Sequence, residues 1–170
     1  NVIILASVFL RPYKEHDFKV LFEIRNDPVI QTLLITHHKP NTTSEVLEWI
    51  LVKSNSIDGV FLIIANSDDN ALGFVQAKEI DRISLTCYAG IALHPQNQKK
   101  GIFPEAFGLF EQYLKETFAI RKVIVEILEG NIPSLKSFQR IGYTQAGILS
   151  EHYYHDGIVS DVIIMEKLLK

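Results

Sequence analysis

The chain has 170 residues, of which 47% are apolar and 22% charged, and 17 basic against 20 acidic residues give a net charge of −3. This balance excludes a low-complexity or strongly basic chain, so we expect one domain over residues 1–170 and no nucleic-acid partner. No apolar run reaches the length of a membrane span, and the single cysteine cannot form an internal disulfide, so we expect no membrane partner and a cytoplasmic location.

The first half of the chain predicts a strand, three helices and then antiparallel strands. Residues 2–10 form an apolar strand, Asp17 opens an amphipathic helix ending near Pro28, and residues 29–35 add a helical turn. Thr42 and Glu45 resemble a capping box before the next helix. Three strands joined by polar turns follow, over residues 60–65, 72–80 and 83–93.

The central stretch, residues 91–104, reads IALHPQNQKKGIFP. A strand ending at Leu93 leads into a polar loop with Gly101, and a helix begins near Ile102 and runs to residue 118. The unpaired amides of a helix N-terminus suit a phosphate, and Lys99 and Lys100 add positive charge there. An ordinary strand-to-helix connection with solvated lysines is the alternative.

The second half predicts a strand, a short helix and a terminal hairpin. Residues 123–128 are apolar without alternation, as in a strand covered on both faces. Asn131 caps a helix that ends at Gly142, and residues 148–154 and 159–168 pair as a β-hairpin. Gly90, inside the strand before the loop, indicates with Ala89 a bulge or a close backbone approach, and a small-residue packing site in a core strand is the alternative. The order is that of a mixed α/β (α+β) fold.

Two segments resemble motifs of the GNAT acetyltransferase superfamily. Residues 98–103, QKKGIF, are similar to the phosphate loop Q/R-x-x-G-x-G/A, and residues 131–143, NIPSLKSFQRIGY, to N-x-x-S-x-x-x-Y-x-x-x-G-F. Residues 10–12 with Asp17, and the tail over residues 151–161, resemble the branch of RimJ/RimL ribosomal-protein, SpeG-like polyamine and PseH-like amino-sugar acetyltransferases.

This resemblance implies a mostly antiparallel sheet of six to seven strands with helices on both faces, in which strands 4 and 5 splay apart. Acetyl-CoA, as co-substrate, would place its pantetheine in that gap and its pyrophosphate on the loop, with no metal. The implied cofactor-binding residues are Ile91, Leu93, Gln98, Lys99, Lys100, Gly101, Ile102, Phe103, Asn131, Ser134 and Phe138. Asn131 is also explained as a helix cap and Ser134 as a surface serine.

Three residues depart from the family pattern. Phe103 stands where the loop usually has Gly or Ala, and Pro104 has no amide hydrogen to donate. Phe138 stands where many relatives carry the Tyr that protonates the leaving thiolate. These departures motivate a second hypothesis, a catalytically silent acyl-CoA-binding regulatory domain.

The resemblance places Gln76 and Tyr88 near the acceptor amine, and Glu79 is a candidate base acting through water. Cys87 has no evident activating partner, so direct attack in a ternary complex is expected rather than an acetyl-cysteine. His37 and His38 fall in a loop where relatives bind acceptors.

The predicted activity is transfer of an acetyl group to a primary amine of a small molecule. Similarity of residues 88–91, YAGI, to PseH-like sequences favours an amino sugar or sugar nucleotide. A protein N-terminus or a polyamine is the alternative acceptor, although the region of His37 and His38 lacks the carboxylates that a polyamine requires. A homodimer is one option for the assembly.

Overall fold

The computed structural model describes residues 7–36 and 38–170, which contain seven strands and five α-helices. In chain order the elements are β1 Val8–Arg11, α1 Phe18–Asn26, α2 Pro28–Leu33, α3 Thr43–Ser54, β2 Val60–Asn66, β3 Ala71–Asp81, β4 Thr86–Leu93, α4 Ile102–Phe118, β5 Lys122–Leu128, α5 Ile132–Arg140, β6 Thr144–His155 and β7 Ile158–Leu168. Short 3₁₀ helices precede α1 and follow β4. No α-helix in these ranges is long and apolar enough to cross a membrane.

The strands form one sheet in the order β1-β2-β3-β4-β5-β7-β6, in which β4 and β5 are the parallel pair and the other neighbours are antiparallel. Helices α1 to α3 cover one face, where Leu21 and Ile50 pack against Phe74. Helices α4 and α5 contribute Phe107 and Phe138 to the core on the other face. The predicted fold class is therefore confirmed.

Strands β4 and β5 part after a short common stretch. They pair at three positions, from Thr86 opposite Lys122 to Tyr88 opposite Ile124. Beyond Tyr88, β4 continues along β3, and β5 continues along β7. The two strands therefore splay apart, as the family resemblance implies, and leave a gap that begins at the middle of the sheet.

Several local predictions need correction. The predicted bulge at Ala89 and Gly90 is wrong, because the pairing of β3 with β4 runs without a shift through both residues. The irregularity lies nearer the hairpin end, between Lys78 and Asp81. Strand β4 also begins three residues late, because the Asp81 carboxylate accepts hydrogen bonds from the amides of Ile83 (2.9 Å) and Ser84 (2.8 Å) and stabilises a turn.

The predictions for the two ends of the chain have different outcomes. Of the predicted first strand, residues 2–6 lie outside the described residues. Strand β6 begins at Thr144, four residues before the predicted start, because its first residues pair with β7 at Glu166 and Met165. Asp17 does not cap α1 with its side chain. Its buried carboxylate instead accepts hydrogen bonds from the Arg11 guanidinium (2.7 and 2.9 Å), which ties β1 to the start of α1.

Candidate functional site

A cleft of about 440 Å³ opens where β4 and β5 part, and α1 to α3 and α5 complete its walls. Six residues predicted from the sequence line it, namely Gln76, Tyr88, Ile91, Asn131, Ser134 and Phe138. They come from three separate elements, β3, β4 and α5 with its N-cap, and the tertiary structure brings them together.

The backbone of β4 presents alternate residues to the gap. The His94 amide donates to the Leu72 carbonyl (2.9 Å), so this pair of residues is hydrogen-bonded across the ladder. Because hydrogen-bonded and non-hydrogen-bonded pairs alternate in an antiparallel ladder, the backbone groups of Ala92 face β3. Those of Ile91 and Leu93 face the side of β5, beyond the last pair of β4 with β5.

The loop after β4 leads directly into the N-terminus of α4. Lys99 (φ +60°) and Gly101 (φ +76°) adopt left-handed backbone conformations, and no side chain among the described residues caps the helix. The side chains of Gln98, Lys99 and Lys100 are exposed, and Gln98 Nε2 donates to the Leu93 carbonyl (3.2 Å). The first amides of α4 thus remain available to an anion, as at other helix N-termini.

The two phenylalanines that depart from the family pattern contact each other. The Phe103 ring packs edge-on against Phe138, with 5.0 Å between centroids, while Ile102 is buried beside it. Phe138 also packs against Phe107 and Tyr143, each at 5.1 Å. Phe103 therefore turns its ring into the core, and Phe138 presents an apolar wall to the cleft.

Both polar atoms of the Asn131 side chain form hydrogen bonds within the protein. Its Oδ1 accepts from the Ser134 amide (3.3 Å) and caps α5, while Nδ2 donates to the Leu33 carbonyl (3.0 Å). This second bond joins the start of α5 to the end of α2 across the cleft. The predicted capping role is confirmed, and Ser134 lies one turn further along the same wall.

Glu79 does not reach the cleft. Its side chain is exposed, its φ is +51°, and it lies in the irregular part of β3 between Lys78 and Asp81. The predicted role of Glu79 as a base in the cleft is therefore not supported by its position. His37 lies outside the described residues. The His38 ring packs at a tilt against the His155 ring, with 3.9 Å between centroids, and does not line the cleft.

Sequence reasoning missed several charged residues of the cleft. Arg25, Lys53, Lys78 and Glu126 all line it. Glu126 had a recognisable signal, because it is the one charged residue in the apolar run of residues 123–128. Its Oε1 lies 3.3 Å from Lys78 Nζ. The basic residues had no comparable signal. Arg25 and Lys53 lie near the ends of amphipathic helices, where charged residues are common. Lys78 lies beside the charged Glu79 near a turn.

Cys87 is buried in the sheet core, 1% exposed, and is not part of the cleft lining. Burial raises the pKa of its thiol to about 12. Because the thiolate is the nucleophilic form, this thiol is unreactive near neutral pH. The structure thus offers no support for a covalent acetyl-cysteine.

Sequence comparison gives a family and two relatives. The family model described as acetyltransferase (GNAT) domain matches residues 7–144. The SPbeta prophage-derived uncharacterized N-acetyltransferase YokL of Bacillus subtilis is 23% identical over 157 residues, covering 89% of this chain and 87% of that protein. The uncharacterized protein MJ1062 of Methanocaldococcus jannaschii is 22% identical over 162 residues, which cover 88% of this chain but 31% of that longer protein.

Structure comparison agrees on the fold. The spermidine N-acetyltransferase of Vibrio cholerae, solved in complex with CoA and spermine, superposes with a TM-score of 0.86. The alignment covers 95% of both chains at 19% sequence identity. At this identity the likeness establishes a shared architecture.

Proposed function

The chain belongs to the GNAT acetyltransferase family, and from this premise we propose that it acetylates a primary amine of a small molecule. The family makes it an acetyl-CoA-dependent acyltransferase. The observation that carries the proposal is the gap between β4 and β5, toward which the backbone groups of Ile91 and Leu93 are directed. A pantetheine arm, with its amide groups, would pair with this strand edge.

The coenzyme's two ends would contact different parts of the site. The amides of Ile102 and Phe103 at the start of α4, with the loop over residues 98–101, would hold the pyrophosphate. Pro104 contributes no donor, so the loop offers fewer amides than in relatives with the usual motif. Ser134 and Phe138, on the cleft wall, would contact the pantetheine.

Acetyl-CoA supplies an activated acyl group, so that a neutral amine displaces the thiolate, with a C–N bond formed and a C–S bond broken. Gln76 and Tyr88 lie in neighbouring strands on the cleft side and would orient the amine. Backbone amides of β4 that face the gap provide donors for the developing oxyanion. Glu126, in place of Glu79, is the carboxylate that would remove the amine proton.

Direct attack is the mechanism that fits these residues. The unreactive Cys87 leaves the cleft without a thiol nucleophile, so amine and acyl donor must be bound together. Among acceptors we favour an amino sugar or sugar nucleotide. The alternatives are a protein N-terminus and a polyamine, the latter because the structurally similar Vibrio cholerae protein binds spermine.

The test is an assay of CoA release from acetyl-CoA with a panel of amines: amino sugars, amino-sugar nucleotides, amino acids, polyamines and peptides. We expect at least one amine to raise turnover well above hydrolysis, with intersecting initial-rate patterns because both substrates bind before reaction. If no acceptor of any class raises turnover above background, the proposed activity is wrong.

A further inference from the structure

The end of the cleft near Tyr88 carries more positive than negative charge. Arg25, Lys53 and Lys78, which we call the basic corner, line the cleft together with a single described carboxylate, that of Glu126. Glu126 is already paired with Lys78, at 3.3 Å. Two cations of the basic corner therefore have no counter-charge from the cleft lining.

Arg25 is held in place without an anion. Its guanidinium carbon lies 4.5 Å from the centroid of the Trp49 ring, which fixes its position by a cation–π contact. Its Nε is buried and has no hydrogen-bond partner in the described residues. Burial lowers the pKa of this guanidinium. A buried donor without a partner is costly, and an anionic ligand would offset that cost.

Lys53 shows the same lack of compensation. Burial is the main cause that lowers the pKa of its ammonium group, and the positive charges of Lys78 and Arg25 lower it further. Lys53 follows Trp49 by one turn of α3, so it lies on the same side of the helix as the ring that supports Arg25. The two uncompensated cations thus belong to one surface.

The basic corner adjoins the predicted acceptor position. Lys78 lies opposite Tyr88 and Gln76 opposite Gly90 in the ladder, so these residues share one face of the sheet. Gln76 Oε1 is likewise buried without a hydrogen-bond partner. From Tyr88 to the end of β4 at Leu93 is about 17 Å of strand. The basic corner is therefore separate from the pyrophosphate loop that follows Leu93.

We propose that the amine acceptor carries an anionic group, a phosphate or a carboxylate, which Arg25 and Lys53 bind while Gln76 contacts the acceptor's polar body. This inference rests on the proposed acetyltransferase function and narrows its substrate class. A guanidinium binds either oxyanion through two parallel hydrogen bonds. The same charges repel a polyamine. We therefore do not expect this chain to bind spermine as the structurally similar Vibrio cholerae protein does.

The test uses matched acceptors that differ in one charge. CoA release is measured with glucosamine 6-phosphate against glucosamine, with methionine against methioninamide, and with spermidine. We expect the anionic member of at least one pair to have the higher kcat/KM, by about tenfold or more. A difference within the first pair indicates that the site binds a phosphate, and a difference within the second pair indicates that it binds a carboxylate.

Arg25→Gln should then lower kcat/KM for the anionic acceptor by about 10- to 100-fold, the size of one hydrogen bond to a charged group, and change the neutral acceptor little. Arg25→Lys, which keeps the charge, should recover part of the loss. Arg140→Gln makes the same chemical change at an exposed position outside the cleft lining and should have no effect.

Preference for spermidine, or for the neutral member of both pairs, would overturn this inference and leave the acetyltransferase function standing. If no amine is turned over, the proposed function fails. In that case, calorimetric measurement of the binding of the same acceptor pairs, in the presence of CoA, tests the anionic-acceptor inference independently of turnover. Tighter binding of an anionic member, lost in Arg25→Gln, supports it, and equal binding contradicts it.

Discussion

At the scale of single residues, Phe138 raises the question of how the thiolate leaves. Its ring lines the cleft but has no proton to donate, and it is 3% exposed in an aromatic cluster. We expect Phe138→Tyr to change kcat by less than about tenfold, because the wild-type chemistry does not use a donor there. A working general acid contributes about 10²- to 10⁴-fold. Steady-state kinetics across pH 6 to 9 measures the difference.

Phe138→Leu, which lacks both the ring and a hydroxyl, is the control for altered packing in that experiment. If Phe138→Tyr instead creates activity in a protein that otherwise has none, the chain is a silent acyl-CoA-binding domain. The regulatory hypothesis would then replace the enzymatic one.

Gln76 offers a test that separates function from stability. We expect Gln76→Leu to lower kcat/KM for the amine by about 10- to 100-fold, because the acceptor loses a hydrogen bond in the transition state. The free energy of unfolding should not fall, since Gln76 Oε1 has no partner to lose among the residues that the structure describes. Initial rates and denaturant unfolding check both halves. Gln112→Leu, at an exposed position of α4, is the control for activity.

Glu126 is the residue to test as the base. We expect Glu126→Gln to lower kcat by about 10²-fold or more at neutral pH, because the amine is then deprotonated only by water. The loss should shrink as pH rises, because the free amine becomes more abundant in solution. A pH–rate profile measures this trend. A constant loss at every pH would instead indicate a structural role in holding Lys78.

At the scale of elements, the strand–loop–helix unit of β4 and α4 depends on backbone conformation. Gly101 has a φ of +76°, and an added Cβ would meet no atom within 4 Å. A side chain there is therefore opposed by the backbone conformation and not by a steric clash. The conformation in turn directs the first amides of α4 outward.

We expect Gly101→Ala to weaken CoA binding several-fold and to lower the free energy of unfolding by about 1 kcal/mol. Gly108→Ala is the matched control, because Gly108 lies inside α4 with equally open space around it. The same change there should stabilise the protein by about 0.5–1 kcal/mol and leave binding unchanged. Calorimetry and denaturant titration report the two quantities, and equal effects at both positions would contradict this explanation.

At the scale of the whole molecule, the sheet consists of two parts that share a short seam. Strands β1 to β4 form one part and β5 to β7 the other, and β4 pairs with β5 at three positions. A pantetheine arm between β4 and β5 would extend this seam. Binding at one hundred times the dissociation constant adds about 2.7 kcal/mol of stability, so CoA should raise the melting temperature.

Amide hydrogen exchange locates that effect. We expect CoA to slow exchange at Ile91 and Leu93, whose backbone groups face the gap, and to leave Ala92 nearly unchanged because it faces β3. Adenosine 3′,5′-bisphosphate, which lacks the pantetheine arm, should not protect Ile91. Equal protection of Ile91 and Ala92, or no melting shift with CoA, would contradict the proposed coenzyme site.

Local patterns in the sequence determined the order of strands and helices, the loop before α4 and the caps at Thr42 and Asn131. Those features depend on neighbouring residues, so periodicity and turn chemistry reveal them. The prediction that β4 and β5 splay apart was based on the resemblance to a family.

Only the tertiary structure decided which side chains share the cleft. It excluded Glu79 and brought together Arg25, Lys53 and Glu126, which lie on three different elements. The physical reason is that the place of Glu79 follows from the pairing of β3 with β4, which is regular through Lys78, and this pairing depends on residues distant in the sequence. Likewise, the sequence gives no sign that Arg25 and Lys53, near the ends of helices, are partly buried and lack a counter-charge from the cleft lining, and only the structure shows this.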